Sequence, residues 1–222
     1  MSPTFSMRPG SAAKDDGRRL LGNFDSQLPW LPTVGSGDQW GMKTLSSNPK
    51  KLEEYRAKVQ RSEAEMNQPW TMESTRTWFV EATVPRNQLS ATEAELLYDD
   101  AVEDEQGMVK LPVAAVIIEG KAADYVHSVL PAQDDKDPFI FVKFLLTDRR
   151  AGAWAKGSGS FGLKYAVDRI KELGFKRATL DCWSGNDRKL VQYYERQGFT
   201  AIGDFVTDGE EKWPGTVMEM RL

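Results

Sequence analysis

The sequence predicts an α/β (α+β) fold in which helices flank a mixed central sheet, and three observations predict it. The chain opens on a strand-like segment followed by helical spacing. Its middle is a run of apolar strand-like segments, and its last third alternates as β-α-β-α-β-β. Such an order builds helical layers on a sheet. With 222 residues, 40% of them hydrophobic, the chain suits one domain over 1–222. At this size folding hides roughly 70–75% of the unfolded surface, enough for a core without covalent staples.

Thr4–Arg8 (TFSMR) reads as the first strand, closed by Pro9-Gly10. A helix follows from Ala12, with Leu20, Leu21, Phe24 and Leu28 at helical spacing. Pro29, Pro32 and Gly35-Ser36-Gly37 stop it. Asn48-Pro49 is a helix start, and KKLEEYRAKVQRSEAEM supplies the i,i+4 charge pairs of a solvated helix. Thr75–Val84 is a strand, and residues 85–110 form an acidic loop insertion carrying Asp99, Asp100, Glu103, Asp104 and Glu105. Three strand-like segments come next: LPVAAVIIEG (111–120), KAADYVHSVL (121–130) and FIFVKFLL (139–146). The loop AGAWAKGSGS then leads into the helix FGLKYAVDRIKELGF, with Leu163, Ala166, Val167, Ile170 and Leu173 on one face and Gly174 as its stop. RATLDCW is a strand and DRKLVQYYERQG a helix, while TAIGDFV and TVMEMRL are a closing pair of strands.

Composition narrows the function. Lys and Arg number 29 against 33 Asp and Glu, a net charge of -4, and mean hydropathy is -0.52. Such a chain lacks the clustered positive charge behind non-specific nucleic-acid and anionic-membrane binding, so neither partner is expected. Cys182, the one cysteine, excludes an internal disulfide framework. His127, the one histidine, argues against a zinc site of His and Cys, and no metal is expected. No apolar run is long enough to span a membrane, and the N-terminal residues lack the apolar stretch of a secretory signal. A cytoplasmic location is the expectation.

The chemically loudest segment is Lys156-Gly157-Ser158-Gly159-Ser160-Phe161-Gly162, which opens a helix. Glycines there let backbone approach a ligand, and free N–H groups at a helix N-terminus bind phosphate. GSGSFG matches the G-x-G-x-x-G dinucleotide fingerprint, and Asp181 lies near the expected acidic position. Two facts count against that reading. Ten residues separate Leu146 from Gly157, where the dinucleotide turn is tight, and the motif comes late, with few strands after it.

The stretch Trp154-Ala155-Lys156-Gly157-Ser158-Gly159 looks like the (Arg/Gln)-x-x-Gly-x-(Gly/Ala) pyrophosphate motif of the GNAT superfamily of acyl-CoA N-acyltransferases. Asn186 to Phe199 (NDRKLVQYYERQGF) resembles the family's Asn…Tyr-Glu-x-x-Gly-Phe segment, and TFSMRPGSAAKDDGRRL is similar to its first strand and helix. The resemblance covers most of the chain and implies a mostly antiparallel sheet. Trp154 departs from it, standing where the family prefers Arg or Gln, which leaves Arg149, Arg150 or Lys156 to supply charge.

The resemblance implies an N-acetyltransferase that moves an acetyl group from acetyl-CoA to the amine of a small molecule by direct attack in a ternary complex. It assigns the pantetheine arm to backbone groups of Leu145, Leu146 and Thr147, and the pyrophosphate to Lys156, Gly157, Ser158, Gly159 and Ser160, with Asn186 beside the cofactor. Tyr194 aligns with the family's general acid; a phenol is of comparable basicity to the departing thiolate. Asp38 and Trp40, between the first two helices, fall where the family forms its acceptor pocket. No general base is readable: Glu81, Glu119, Asp124 and His127 are candidates for which a structural role is the simpler one. Cys182 reads as a small buried strand residue. Homodimerisation stays open, as do a catalytically silent CoA-binding module and, resting on GSGSFG and Asp181 alone, an NAD(P)-dependent oxidoreductase.

Overall fold

Alternation along the apolar segments builds one seven-stranded sheet, in the order β1-β2-β3-β4-β5-β7-β6. The computed structural model describes residues 3–130, 133–208 and 212–222. Its strands are β1 (Thr4–Pro9), β2 (Thr75–Pro85), β3 (Met108–Glu119), β4 (Ile140–Thr147), β5 (Arg177–Trp183), β6 (Thr200–Val206) and β7 (Pro214–Arg221). Every neighbouring pair is antiparallel except β4 and β5. The helices are α1 (Asp16–Asp25), α2 (Pro49–Glu65), the single turn α3 (Ala91–Ala94), α4 (Ser158–Glu172) and α5 (Gly185–Arg196). The sheet is mixed and mostly antiparallel, and helices flank it, as the fold class requires.

Each face of the sheet carries its own core. On one, Leu20 of α1 and Val59 of α2 pack against Phe79, Ala115, Ile117 and Phe144. On the other, Leu163, Ala166, Val167 and Ile170 of α4 and Val191 of α5 pack against Val116, Ile118, Val142, Leu180 and Cys182. Successive residues of β3 serve opposite faces, which is why VAAVII reads as a continuous apolar run. Each such side chain contributes about 1.5–3 kcal/mol on burial.

Four expectations are corrected. The first helix begins at Asp16 rather than Ala12, because Asp16 is buried and its carboxylate accepts from the Ser11 N–H at 2.7 Å and from Arg8 at 2.8 Å, folding residues 11–15 into a turn. The segment 121–130 is no strand but a short 3₁₀ turn, Asp124–Val126. Strands β3 and β4 pair directly with each other, so the segment between them serves as their connection and not as an intervening strand. Val126 and Leu130 are instead anchored among Phe139, Phe141, Phe205 and Val217. Helix α4 starts at Ser158, earlier than expected, which takes the Ser158-Gly159-Ser160 run into its first turn. Leu173 caps that helix and is 39% exposed rather than part of its buried face.

Candidate functional site

The parallel pair β4–β5 makes only two register contacts, Ile140↔Ala178 and Phe141↔Thr179, and the strands then part. Just past that point β4 bulges: Ile118 faces Val142 and Ile117 faces Phe144, so Lys143 is an extra residue. A bulge bends the strand and re-aims side chains. Phe144 packs on the α1/α2 face, whereas Val142 and Leu145 serve the α4/α5 face. The gap opens into a cavity of about 1230 Å³.

The free edge of β4 faces this gap. The Asp148 N–H donates to the Val113 carbonyl at 2.8 Å, and Leu146 lies opposite Ala115. Alternation in an antiparallel pair therefore commits Leu146 to β3 and turns the main-chain groups of Leu145 and Thr147 toward the gap. Of the three residues expected to offer backbone groups, Leu146 offers only its side chain. The Thr147 carbonyl is itself taken by the Gln27 side chain, leaving the Leu145 groups and the Thr147 N–H.

At the mouth of the gap stands the N-terminus of α4. Its N-cap, Gly157, has φ 89°, a left-handed conformation that glycine adopts without cost, and no side chain caps the helix. The first-turn N–H groups of Ser158, Gly159 and Ser160 therefore point out unshared, carrying the positive end of the helix dipole. The Ser158 hydroxyl turns back to the Ala155 carbonyl at 2.7 Å and is buried, so that residue contributes its amide alone. A Cβ at Gly162 would lie 3.2 Å from Val80, a packing reason for the third glycine.

The long stretch before the loop is hydrogen-bonded to the segment after α1. Arg149–Ala155 is a 3₁₀ segment tied to the end of α1 by the Arg149 N–H on Ser26 Oγ at 3.0 Å and Arg149 Nε on Gln27 Oε1 at 2.8 Å. The Arg149 guanidinium lies 3.4 Å from the Trp30 ring centroid and lines the cavity. Lys156 and Lys189 line it too. Arg150 does not; it is paired with buried Asp148 at 2.7 Å. Trp154 packs into the core around Ala151 and Phe161. Asn186 lines the cavity, but its amide donates to the Val34 carbonyl and to Ser36 Oγ, each at 2.8 Å, so it ties α5 to the loop after α1.

Two titratable groups of the cavity sit on opposite faces of the sheet. Tyr194, in α5, packs on Phe199 and Tyr193 among the α4/α5 core, and burial holds its phenol well above the ordinary tyrosine value. The same face holds Cys182, whose thiol burial pushes up to about 12. Asp181 is the next strand residue and so points to the α1/α2 face. Burial raises its carboxyl above the usual carboxylate range, against the opposing pull of Lys143 and of the Tyr125 hydroxyl, which donates at 3.3 Å. Among the described residues lining the cavity Asp181 is the only carboxylate.

None of the four sequence candidates for a base reaches the cavity. Glu119 is paired with Lys58 at 2.5 Å and Glu81 with Arg8 at 2.9 Å, while Asp124 and His127 are exposed outside it. Of the two acceptor-side candidates, Trp40 lines the cavity, stacked on Phe24 at 4.4 Å, whereas Asp38 is exposed outside it. The acidic run is also elsewhere: Asp100 pairs with Lys14 and Glu103 with Arg86. Sequence reasoning missed Asp181 as a base and Lys143 as a cavity residue. The signal for Asp181 was one charge inside the strand RATLDCW, flanked by residues that are buried.

No protein-family profile matches the sequence, and no curated protein matches it. Solved structures do match in fold. A GNAT-family acetyltransferase from Listeria monocytogenes superposes with a TM-score of 0.56 at 14% identity, over 100% of this chain and 99% of that one. PaiA N-acetyltransferase from Thermoplasma acidophilum, in complex with coenzyme A, gives 0.55 at 10% identity over 99% of both chains. The NatC complex bound to Gag peptide and CoA gives 0.54 at 8% identity over 100% of this chain and 99% of that one. The chain has the fold of the GNAT acetyltransferases. The dinucleotide reading needs a parallel series of strands, whereas among the described strands only β4 and β5 run parallel, and Asp181 lies on the sheet face opposite α4.

Proposed function

We propose that the protein is an acetyl-CoA-dependent N-acetyltransferase acting on the amine of a small molecule by direct attack. One observation carries the reading: a single cavity joins the uncapped α4 N-terminus, the unpaired edge of β4, and one acid–base group from each face of the sheet. An acyl-CoA fits that set. The N–H groups of Ser158, Gly159 and Ser160 suit a pyrophosphate, with Arg149, Lys156 and Lys189 as counter-charges. The Leu145 main chain suits an amide-bearing arm lying along β4 as a further strand.

Bound there, acetyl-CoA supplies the activated acetyl group. Asp181 takes the proton from the acceptor ammonium, and the Tyr125 hydroxyl holds that carboxylate in place. The Thr147 N–H, turned into the gap, offsets negative charge developing on the carbonyl oxygen. As the C–N bond forms and the C–S bond breaks, Tyr194 gives its phenolic proton to the leaving sulfur, and the second proton shed by the nitrogen restores the phenol. Its raised pKa keeps that proton in place until a thiolate appears. Cys182, held protonated in a buried site, is not suited to carry the acetyl group.

Cross-ties between the segments around the acceptor side support a small acceptor over a protein one. Trp213 Nε1 donates to the Gln39 carbonyl at 2.8 Å, tying the β6–β7 connection to the loop after α1, while Asn186 ties the same loop to α5. Calorimetric titration with acetyl-CoA, beside NAD and NADP, tests the reading. Binding of acetyl-CoA alone is expected; binding of a dinucleotide alone overturns it. Acetyl-CoA binding without turnover across an amine panel leaves a silent CoA-binding module.

A further inference from the structure

Within that acyltransferase reading, we infer that the acceptor is a zwitterion on an aromatic body, an aromatic amino acid or its close analogue. Lys143 takes the carboxylate and Asp181 the amine.

The α1/α2 side of the cavity is walled by rings in braced sets. Phe24 stacks on Trp40 at 4.4 Å, Tyr55 meets Phe144 edge-on at 6.1 Å, and Tyr125, Phe205 and Trp213 follow one another at 5.7 and 5.9 Å. Tyr125 keeps 43% of its surface exposed although Phe205 packs on it, because it faces the cavity. Rings fixed by other rings make a preorganised slot for a flat apolar group, which prefers stacked or edge-on contact.

Among the described residues, two charges stand close to the Tyr125 ring. Asp181 is half-buried and hydrogen-bonded, as described. Lys143, the bulged residue of β4, lies over the Tyr125 ring at 5.3 Å and the Phe141 ring at 5.9 Å, and forms no ion pair among the described residues. A lysine lining an aromatic cavity without a carboxylate in contact leaves an anion-binding position open. Of the remaining cavity cations, Arg149 is held against Gln27 and Trp30 beyond the end of α1, while Lys156 and Lys189 flank the α4 and α5 N-termini, where the phosphates of the donor belong. With one carboxylate against four cations among its described lining residues, the cavity matches one amine beside one acid better than a polycation.

Initial rates with acetyl-CoA and a matched panel test this: phenylalanine and tryptophan, their decarboxylated counterparts phenethylamine and tryptamine, and spermidine. We expect kcat/KM for each amino acid to exceed that of its decarboxylated amine at least tenfold. In Lys143→Met that ratio falls to near one, and in Lys143→Arg it persists, which separates charge recognition from a folding defect. Preference for the amines or for spermidine, or a ratio unmoved in Lys143→Met, overturns the assignment. So does acetyl-CoA binding with no turnover of either amino acid, an outcome that leaves the donor site intact. Failure to bind acetyl-CoA at all removes the acyltransferase reading itself, and this inference with it.

Discussion

Burial drives both Asp181 and Tyr194 toward their protonated forms, and the consequences for catalysis and stability run in opposite directions. A carboxyl whose folded pKa lies above its unfolded value contributes stability that is complete below the unfolded pKa and is lost as pH rises through the folded one. At neutral pH the ionised Asp181 therefore weakens the fold while poising a base. Asp181→Asn should raise the melting temperature at pH 8, by about 2–4 °C for each kcal/mol gained in a chain of this size. The gain should shrink toward pH 4, and kcat/KM should drop about 10²-fold or more. Melting curves at both pH values, with rates alongside, check this; a variant less stable at pH 8 would make Asp181 a structural anchor instead. In the unaltered protein, the acidic limb of kcat/KM against pH should lie above the ordinary carboxylate range. Tyr194→Phe should cut kcat about 10²-fold with calorimetric acetyl-CoA affinity nearly unchanged, and undiminished turnover would remove it as the acid.

Among the elements, α4 carries a prediction of its own. A Cβ at Gly159 would meet only Tyr193 Oη at 3.5 Å and Thr147 Cγ2 at 3.6 Å, ordinary contacts that a side chain tolerates. Gly159→Glu should therefore fold, yet place a carboxylate against the first-turn amides and cut acetyl-CoA affinity at least about tenfold, the weight of one repelled charge of roughly 1.4 kcal/mol. Unaltered affinity by calorimetry would move the pyrophosphate elsewhere. Helices α4 and α5 and strand β5 were legible because their signals are local: Leu163, Ala166, Val167 and Ile170 at helical spacing, then glycine stops. The segment 121–130 misled for the opposite reason. Its Val126 and Leu130 are as buried as strand residues, but strandhood needs a partner strand, and β3 and β4 pair with each other across this segment, which is a property of the whole sheet. Nor does composition reveal the left-handed run Asn186, Asp187 and Arg188, at φ 50°, 55° and 59°, which opens α5 and aims Asn186 at Val34. Such conformations cost about 1–2 kcal/mol each outside glycine and persist only where contacts impose them.

For the whole molecule, the decisive feature is the parting of β4 from β5 after two register contacts. It turns the sheet from a partition into a passage, with Tyr194 on one face and Asp181 on the other. That is why the base was not readable from the sequence. Asp181 sits beside Cys182 in the chain, yet strand alternation sends the two to opposite faces, and only the gap lets both serve one cavity. A site assembled through a sheet has a kinetic consequence. The acceptor must meet the acetyl group while the donor still occupies the gap, and the one thiol in reach is pushed up to about 12 and stays protonated. Double-reciprocal plots at several acceptor concentrations should therefore intersect rather than run parallel. Incubation with acetyl-CoA labelled in the acetyl group, without acceptor, should leave no label on the denatured protein. Parallel lines together with label on Cys182 would replace direct attack by a covalent relay, and would require that the thiol open to a base which the present geometry keeps on the far side of the sheet.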